Sequence, residues 1–330
     1  MPEFKSIFAA ELAEFIALKQ KAVSPGTYNI YRALLVNFDS HIIGCGPTEK
    51  TIGEQLVSDW IAPLYETLSV KTVSSRVSHL RQFLEYLRFC GYTVYVPEGL
   101  PKYTDNYMAY LFSDVEIDKI FRAADSLELV DSKPTSRYYR VTFPMVLRML
   151  FGCGLRLGET LSMKVGDINF DNGLLLMKNT KNNKQRIVPM DESLTGMLRQ
   201  YCAAMCIIGS PGAWLFPTDR PERHLSQSTA DSLFRRVLVD TKIYVAPKPQ
   251  TRGQCLHCLR HLFTVRSFAQ AVRDGRSLND SVPYLSVYLG HFDMDGTERY
   301  LKFSADMFPE HTEQFEEYAS GVFSGGLYEE

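Results

Sequence analysis

Apolar residues recur at helical spacing along most of this chain. Phe8, Leu12, Phe15 and Ile16 fall on one face of a helix predicted over residues 4–21. Ser24-Pro25-Gly26 interrupts that pattern, and Ser24 ahead of Pro25 is a helix start. Tyr31, Leu34, Leu35, Phe38 and Ile42 then stripe a second helix. Thr51 with Glu54 has the spacing of a capping box and predicts a third helix through Trp60. Val73, Val77, Leu80, Leu84 and Leu87 mark a fourth that ends near Gly91. Lys71, Ser74, Ser75, Ser78 and Arg81 lie off its apolar stripe. Residues 1–92 therefore read as a small four-helix bundle.

The helical period is lost over 93–112, which reads as a linker with two prolines. Tyr95, Tyr103, Tyr107 and Tyr110 in and around it could stack on bases, but an ordinary packing seam is the simpler reading. Ser113 and Glu116 form a second capping box, opening a helix through about Ser126. Another helix runs to Cys153 and closes on Gly154, and a short one follows Arg156. The period then changes. INF, a turn at Asp171-Asn172-Gly173, LLLMK, a turn over 180–183 and QRIVP predict a strand and a hairpin with Lys181 at its tip. Further helices are expected near 191–206, 226–240, 257–273, 281–288, 297–303 and 309–319, with RDGRSLNDSVP read as an insertion. The fold class is mainly α with a small β-sheet (α+β), in two domains, 1–92 and 113–330.

Composition narrows the setting. An apolar fraction of 45% over 330 residues supports real cores, and no apolar run is long enough for a signal region or a membrane span. Seven cysteines, an odd number scattered over a long chain, fit a reducing compartment such as the cytoplasm. The net charge of −2 argues weakly against nucleic acid, but its distribution does not. Residues 235–276 hold nine Lys/Arg against two acids, and 299–330 hold seven acids against two bases. A basic groove and an acidic tail can cancel in the total.

Arg156, Lys181, His257, Arg260, His291 and Tyr300 are the candidate chemistry. Attack on a phosphodiester adds negative charge to the non-bridging oxygens, and a guanidinium fork suits those oxygens because it binds two and keeps its proton. A phenol with an unperturbed pKa of about 10 is a weak nucleophile unless a base and nearby positive charge activate it. His257 lies three residues before Arg260, so one helix would turn both to one side. Lys181 could protonate the leaving oxygen. Cys255, His257, Cys258 and His261 invite a zinc reading, but the pair runs into a predicted helix and no second CxxC exists. No metal and no cofactor is expected. His261 reads as a supporting, hydrogen-bonded histidine.

Four segments in order carry a resemblance: GLRLGE (154–159), TKNNKQRIVPM (180–190), LHCLRHLF (256–263) and LGHFDMDGTERY (289–300). Together they resemble the tyrosine recombinase (phage integrase) family, over most of 107–303. The resemblance implies a catalytic set of Arg156, Lys181, His257, Arg260, His291 and Tyr300, supported by Glu159. It makes 1–92 a core-site DNA-binding bundle and 113–330 a mixed α/β catalytic domain, with a C-terminal helix docking onto a neighbouring protomer. It implies a site-specific recombinase, the integrase of a bacterial mobile element, working through a 3′-phosphotyrosyl link and a Holliday junction. The partners would be double-stranded DNA, a homo-tetramer on paired sites and an accessory directionality factor, in the bacterial cytoplasm at the nucleoid. Lys71, Ser75, Arg76, Arg81, Lys178, Lys184 and Arg252 are the candidate DNA contacts. The alternatives are a type IB topoisomerase-like nicking-closing enzyme and a DNA-binding protein that has lost catalysis.

Overall fold

In the computed structural model, residues 4–103, 109–128, 134–178, 185–248 and 253–290 are described. Contacts divide the chain into two compact units, Met1–Met108 with Pro247–Arg252, and Ala109–Ala246 with Gly253–Glu330.

The first unit is helical: α1 (Ala9–Ala22), α2 (Pro25–Cys45), α3 (Glu54–Ile61), a single turn α4 (Leu64–Thr67) that the pattern does not predict, and α5 (Val70–Phe89). Ser24 caps α2 by accepting the Thr27 N–H, with Pro25 in the first turn where its missing N–H costs nothing. The predicted apolar stripes are buried, and apart from Val73 and Val77 they share one core, joined by Phe83. Ser74 is also buried and belongs to the inner face of α5. Thr51 does not cap α3. Ile52 instead forms a parallel bridge with Val94, its N–H donating to Thr93 O at 3.1 Å while Tyr95 N–H donates to Ile52 O at 2.7 Å. That pairing keeps the chain extended through residue 52, so Gly53 becomes the N-cap. Tyr92, Val94, Tyr95 and Val96 pack on the same core, so the segment that lost helical period belongs, at its start, to this unit.

The second unit contains α6 (Asp114–Asp125), α7 (Pro134–Cys153), α8 (Leu157–Leu161), strands β1 (Ile168–Asn169), β2 (Leu174–Met177) and β3 (Arg186–Pro189), then α9 (Glu192–Ala204), α10 (Gln227–Asp240), α11 (His257–Arg273) and α12 (Leu278–Leu289). The capping box of Ser113 and Glu116 is formed at α6. Tyr110 packs rather than stacks outward, donating to Glu116 at 2.6 Å. The strands make an antiparallel sheet in the order β1-β2-β3, with Leu175 opposite Val188 and Met177 opposite Arg186. α11 packs against α7 and α12, and α12 in turn against β3. The core runs through Phe143, Val146, Leu150, Leu175, Val188, Phe234, Leu259 and Leu262. RDGRSLNDSVP forms the end of α11, a turn with Gly275 at φ +75°, and the start of α12, which Ser277 caps by accepting Asp280 N–H at 3.1 Å. The helices predicted at 297–303 and 309–319 lie outside the described residues. Mainly helical architecture with one small sheet is the fold class expected. Among the described residues no helix is long and apolar enough to cross a membrane.

Candidate active site

The site begins where α7 stops. Gly154 takes φ +59° and its N–H returns to Leu150 O at 3.0 Å, the usual left-handed close of a helix. A Cβ on Gly154 would lie 2.3 Å from Phe263 Cδ1, so glycine is required twice over, by conformation and by space. The turn delivers Arg156 in extended conformation (φ −77°, ψ 141°) as the N-cap of α8. One turn on, Glu159 reaches back to accept the Arg156 N–H at 3.3 Å and its Nη1 at 2.8 Å. Phe263 in turn stacks on Tyr288, with ring centroids 5.5 Å apart and 15° between planes.

Arg260 is 1% exposed. It donates from Nη1 to Gly154 O at 2.6 Å and from Nη2 to Leu289 O at 2.8 Å. Arg156 donates from Nη2 to Gly290 O at 2.7 Å. A third guanidinium, which the sequence reading passed over, completes the set. Arg186 donates from Nε to Tyr288 O at 2.8 Å, and its two Nη atoms span the Glu159 carboxylate at 3.2 and 2.7 Å. Three successive carbonyls at the end of α12, those of Tyr288, Leu289 and Gly290, thus each receive one arginine. The physical reason is general: the last carbonyls of a helix lack intrahelical partners and carry the negative end of its dipole. Gly290 closes the helix at φ +66°, its N–H returning to Ser286 O and Val287 O.

Burial acts to raise the Glu159 pKa, but the guanidiniums of Arg186 and Arg156 outweigh it and hold the carboxyl below its ordinary range. The site therefore keeps one carboxylate among three fixed cations at neutral pH. That net positive charge suits an anionic ligand. A guanidinium has five N–H donors, and the bonds to Glu159 and Gly290 use two of those on Arg156, whose side chain is 24% exposed. His257 and Arg260 occupy the first turn of α11 at i and i+3, and the His257 ring lies edge-on to His261, centroids 4.5 Å apart.

The structure thus brings together Arg156, Glu159 and Arg260 through α8, α11 and the end of α12, with His257 and His261 on the same first turns of α11. Lys181, Lys184, Arg252, His291 and Tyr300 lie outside the described residues. His291 is the next residue in sequence after Gly290. Lys178 follows β2 and pairs with Asp167 at 2.7 Å. In the first unit, Lys71 and Ser75 are exposed at i and i+4 of α5, with the Lys71 ammonium 5.8 Å from the Tyr103 ring centroid. Arg76 and Arg81 are half-buried, and Arg81 bonds Glu85 and the Glu98 carbonyl. Strand alternation in RIVP turns Arg186 and Val188 inward and leaves Ile187 60% exposed, a facing that the residue types alone do not reveal.

The fold is that of DNA recombinases of known structure. The XerH site-specific recombinase, solved with its difH substrate after cleavage, superposes with a TM-score of 0.63 at 17% identity, over 88% of this chain and 79% of that one. A lambda integrase dimer bound to a core site gives 0.63 at 17%, over 88% and 76%. Among sequence relatives, the tyrosine recombinase XerD of Bradyrhizobium diazoefficiens is 26% identical over 306 residues, covering 87% of this chain and 89% of the relative. XerC of Chlorobaculum parvum is 27% identical over 313 residues, covering 88% and 89%. Residues 112–306 match the phage integrase family. The enzyme class so defined is the tyrosine-type site-specific recombinase. Within it, the chain belongs to the phage integrase family.

Proposed function

We propose that this recombinase cuts and rejoins double-stranded DNA with Tyr300 as nucleophile and serves as the integrase of a mobile element. The observation that carries the chemistry is the clamp of Arg156, Arg186 and Arg260 on the last carbonyls of α12, because the chain runs straight on from there to His291 and, nine residues later, to Tyr300. Arg156 and Arg260 neutralise the developing charge on the phosphate oxygens. His257 accepts the phenol proton, Lys181 supplies the proton to the departing 5′ oxygen, and His291 orients phosphate or phenol. The phenol oxygen bonds phosphorus as the bond to the 5′ oxygen breaks, so the 3′-phosphotyrosyl link conserves the diester and needs neither ATP nor metal. A 5′ hydroxyl from the partner strand reverses the step, and two such rounds pass through a Holliday junction in a tetramer. The mobile-element role draws support from the likeness to a transposon integrase solved with its transposon end DNA (TM-score 0.60, 17% identity, covering 92% of this chain and 98% of that one).

The DNA-facing part of the first unit is, in this reading, α5, with Lys71, Ser75, Arg76 and Arg81; Lys178, Lys184 and Arg252 add contacts from elsewhere in the chain, and His261 braces His257. The acidic segment 309–319 docks on a neighbouring protomer. A groove of about 750 Å³ between α11 and α12, lined by Ser267, Gln270, Tyr284, Leu285 and Tyr288, suits its Phe315 and Tyr318 and the Phe308 just before it. Tyr284 and Val287, one turn apart on α12, are 79% and 73% exposed.

The test is a nicked duplex that traps the covalent intermediate by losing the short strand that would otherwise rejoin. The expected result is a protein–DNA adduct from the wild type and none from Tyr300→Phe, which should still bind. An adduct from Tyr300→Phe would show that another residue is the nucleophile. Nicking and closing without exchange between two sites would favour the topoisomerase-like alternative.

A further inference from the structure

We infer that Arg186 is a positioning residue for strand cleavage: by holding the Glu159 carboxylate and the Tyr288 carbonyl in one planar fork, it sets the direction of Arg156 and the register of the end of α12. The inference rests on the reading of Tyr300 as nucleophile.

Three observations carry it. Arg156 is the most exposed of the arginine–carboxylate trio, at 24% against 8% for Arg186 and 4% for Glu159, so packing alone does not orient it. Its Nη1 is aimed by Glu159 Oε1, and the plane of that carboxylate is set in turn by the two-point bond from Arg186. A carboxylate held by one partner can swivel about its own axis, whereas one held at both oxygens by a planar fork cannot. Next, Arg186 uses its Nε on Tyr288 O, so the same rigid group ties the acid to the helix end that precedes His291. A lysine offers a single ammonium and cannot span both oxygens and the carbonyl with that geometry. Finally, the neighbourhood is shaped around this side chain. A Cβ at Gly290 would lie 2.8 Å from Arg186 Nη1, so residue 290 must be glycine for Arg186 to fit as well as for its φ of +66°. β3 also begins at Arg186, five residues after Lys181 in sequence, so the clamp anchors the near end of the strand that follows the hairpin.

The experiment uses the full chain and labelled, nicked duplexes of randomised sequence, from which those captured covalently by the wild type serve as substrate. Arg186→Met should slow single-turnover adduct formation about 100-fold, the scale of an ångström-level misplacement, while equilibrium binding of the same duplexes stays near wild type. Arg186→Lys should recover part of that rate. The acid limb of the rate profile should move to higher pH in Arg186→Met, because Glu159 loses its stronger partner, and the move should vanish in the Arg186→Met, Glu159→Gln double variant. A purely architectural arginine would lower folded fraction, binding and cleavage together, leave the limb in place, and show no rescue by lysine. That outcome, or wild-type cleavage by Arg186→Met, overturns the inference while leaving the nucleophile assignment intact. Absence of any Tyr300-dependent adduct in the wild type overturns the nucleophile assignment first and the role of Arg186 with it.

Discussion

Glu159 is a side chain that cannot be understood alone. Its carboxylate is buried, yet ionised, because Arg186 and Arg156 meet it within 2.7–3.3 Å. Since its folded pKa lies below the unfolded value, it contributes stability above the unfolded pKa of about 4.3, and that contribution fades as pH falls through the folded value. Glu159→Gln should therefore destabilise the protein by about 3 kcal/mol at neutral pH, by leaving the Arg186 guanidinium, 8% exposed, and the half-buried Arg156 short of a counter-charge. The gap to wild type should narrow as the pH drops below 4, as measured by urea unfolding across a pH series. A gap of constant size would mean that the carboxylate is not the linked group. Gly154 makes a second residue-scale case. Alanine there must adopt φ +59° and push a methyl into Phe263, so Gly154→Ala should cost about 2–4 kcal/mol, read as a lowered unfolding midpoint. Of the candidate site residues, Arg156, Glu159, His257, Arg260 and His261 could be named as candidates because short segments of sequence carry them. Arg186 was not, because its partners lie 27 and 102 residues away and nothing in RIVP names them.

Element boundaries were legible where the chemistry that sets them is local. Ser24 and Ser113 bond an N–H three residues on, and both start helices where their sequences say they should. Ser113→Ala should cost about 1 kcal/mol, measurable by denaturant unfolding, because it removes the hydroxyl that accepts the Glu116 N–H while the Ser113 N–H still donates to the Glu116 carboxylate. Thr51 has equally good local spacing and fails. Its neighbour Ile52 is drawn into backbone pairing with Val94, more than forty residues distant, and two interstrand-type hydrogen bonds outweigh one side-chain cap. The start of α12 moves in the opposite sense. The pattern predicts a helix near 281–288, but Ser277 supplies a cap and the α11–α12 contact supplies burial for Val282, so the helix starts at Leu278. Likewise Ile187 looks like core and is exposed, while Arg186 beside it faces inward; the pleat decides the face, and the ion pair decides the register.

At the scale of the whole molecule, two consequences of the proposed function can be measured. Binding to duplex DNA should fall steeply with salt, by about 10³–10⁵-fold between 50 and 200 mM if roughly six to ten phosphates are neutralised, as titration of a labelled duplex would show. A flat salt response would remove the phosphate-dominated interface. Replacing Phe315 and Tyr318 by serine should leave cleavage of a single site intact and weaken assembly on paired sites, visible by sedimentation. If assembly is unchanged, the groove between α11 and α12 has another occupant or none. The sequence by itself determined the helical stripes, the caps, the two-strand hairpin and the ordered segments that mark the family, because each depends on residues within a turn or two of one another. Tertiary structure alone decided that three arginines from α8, β3 and α11 share one helix end, and that a single carboxylate is fixed between two of them. The reason is physical. Unsatisfied helix-end carbonyls and a buried carboxylate attract any cation the fold can bring within 3 Å, and which cation arrives depends on packing between elements far apart in the chain.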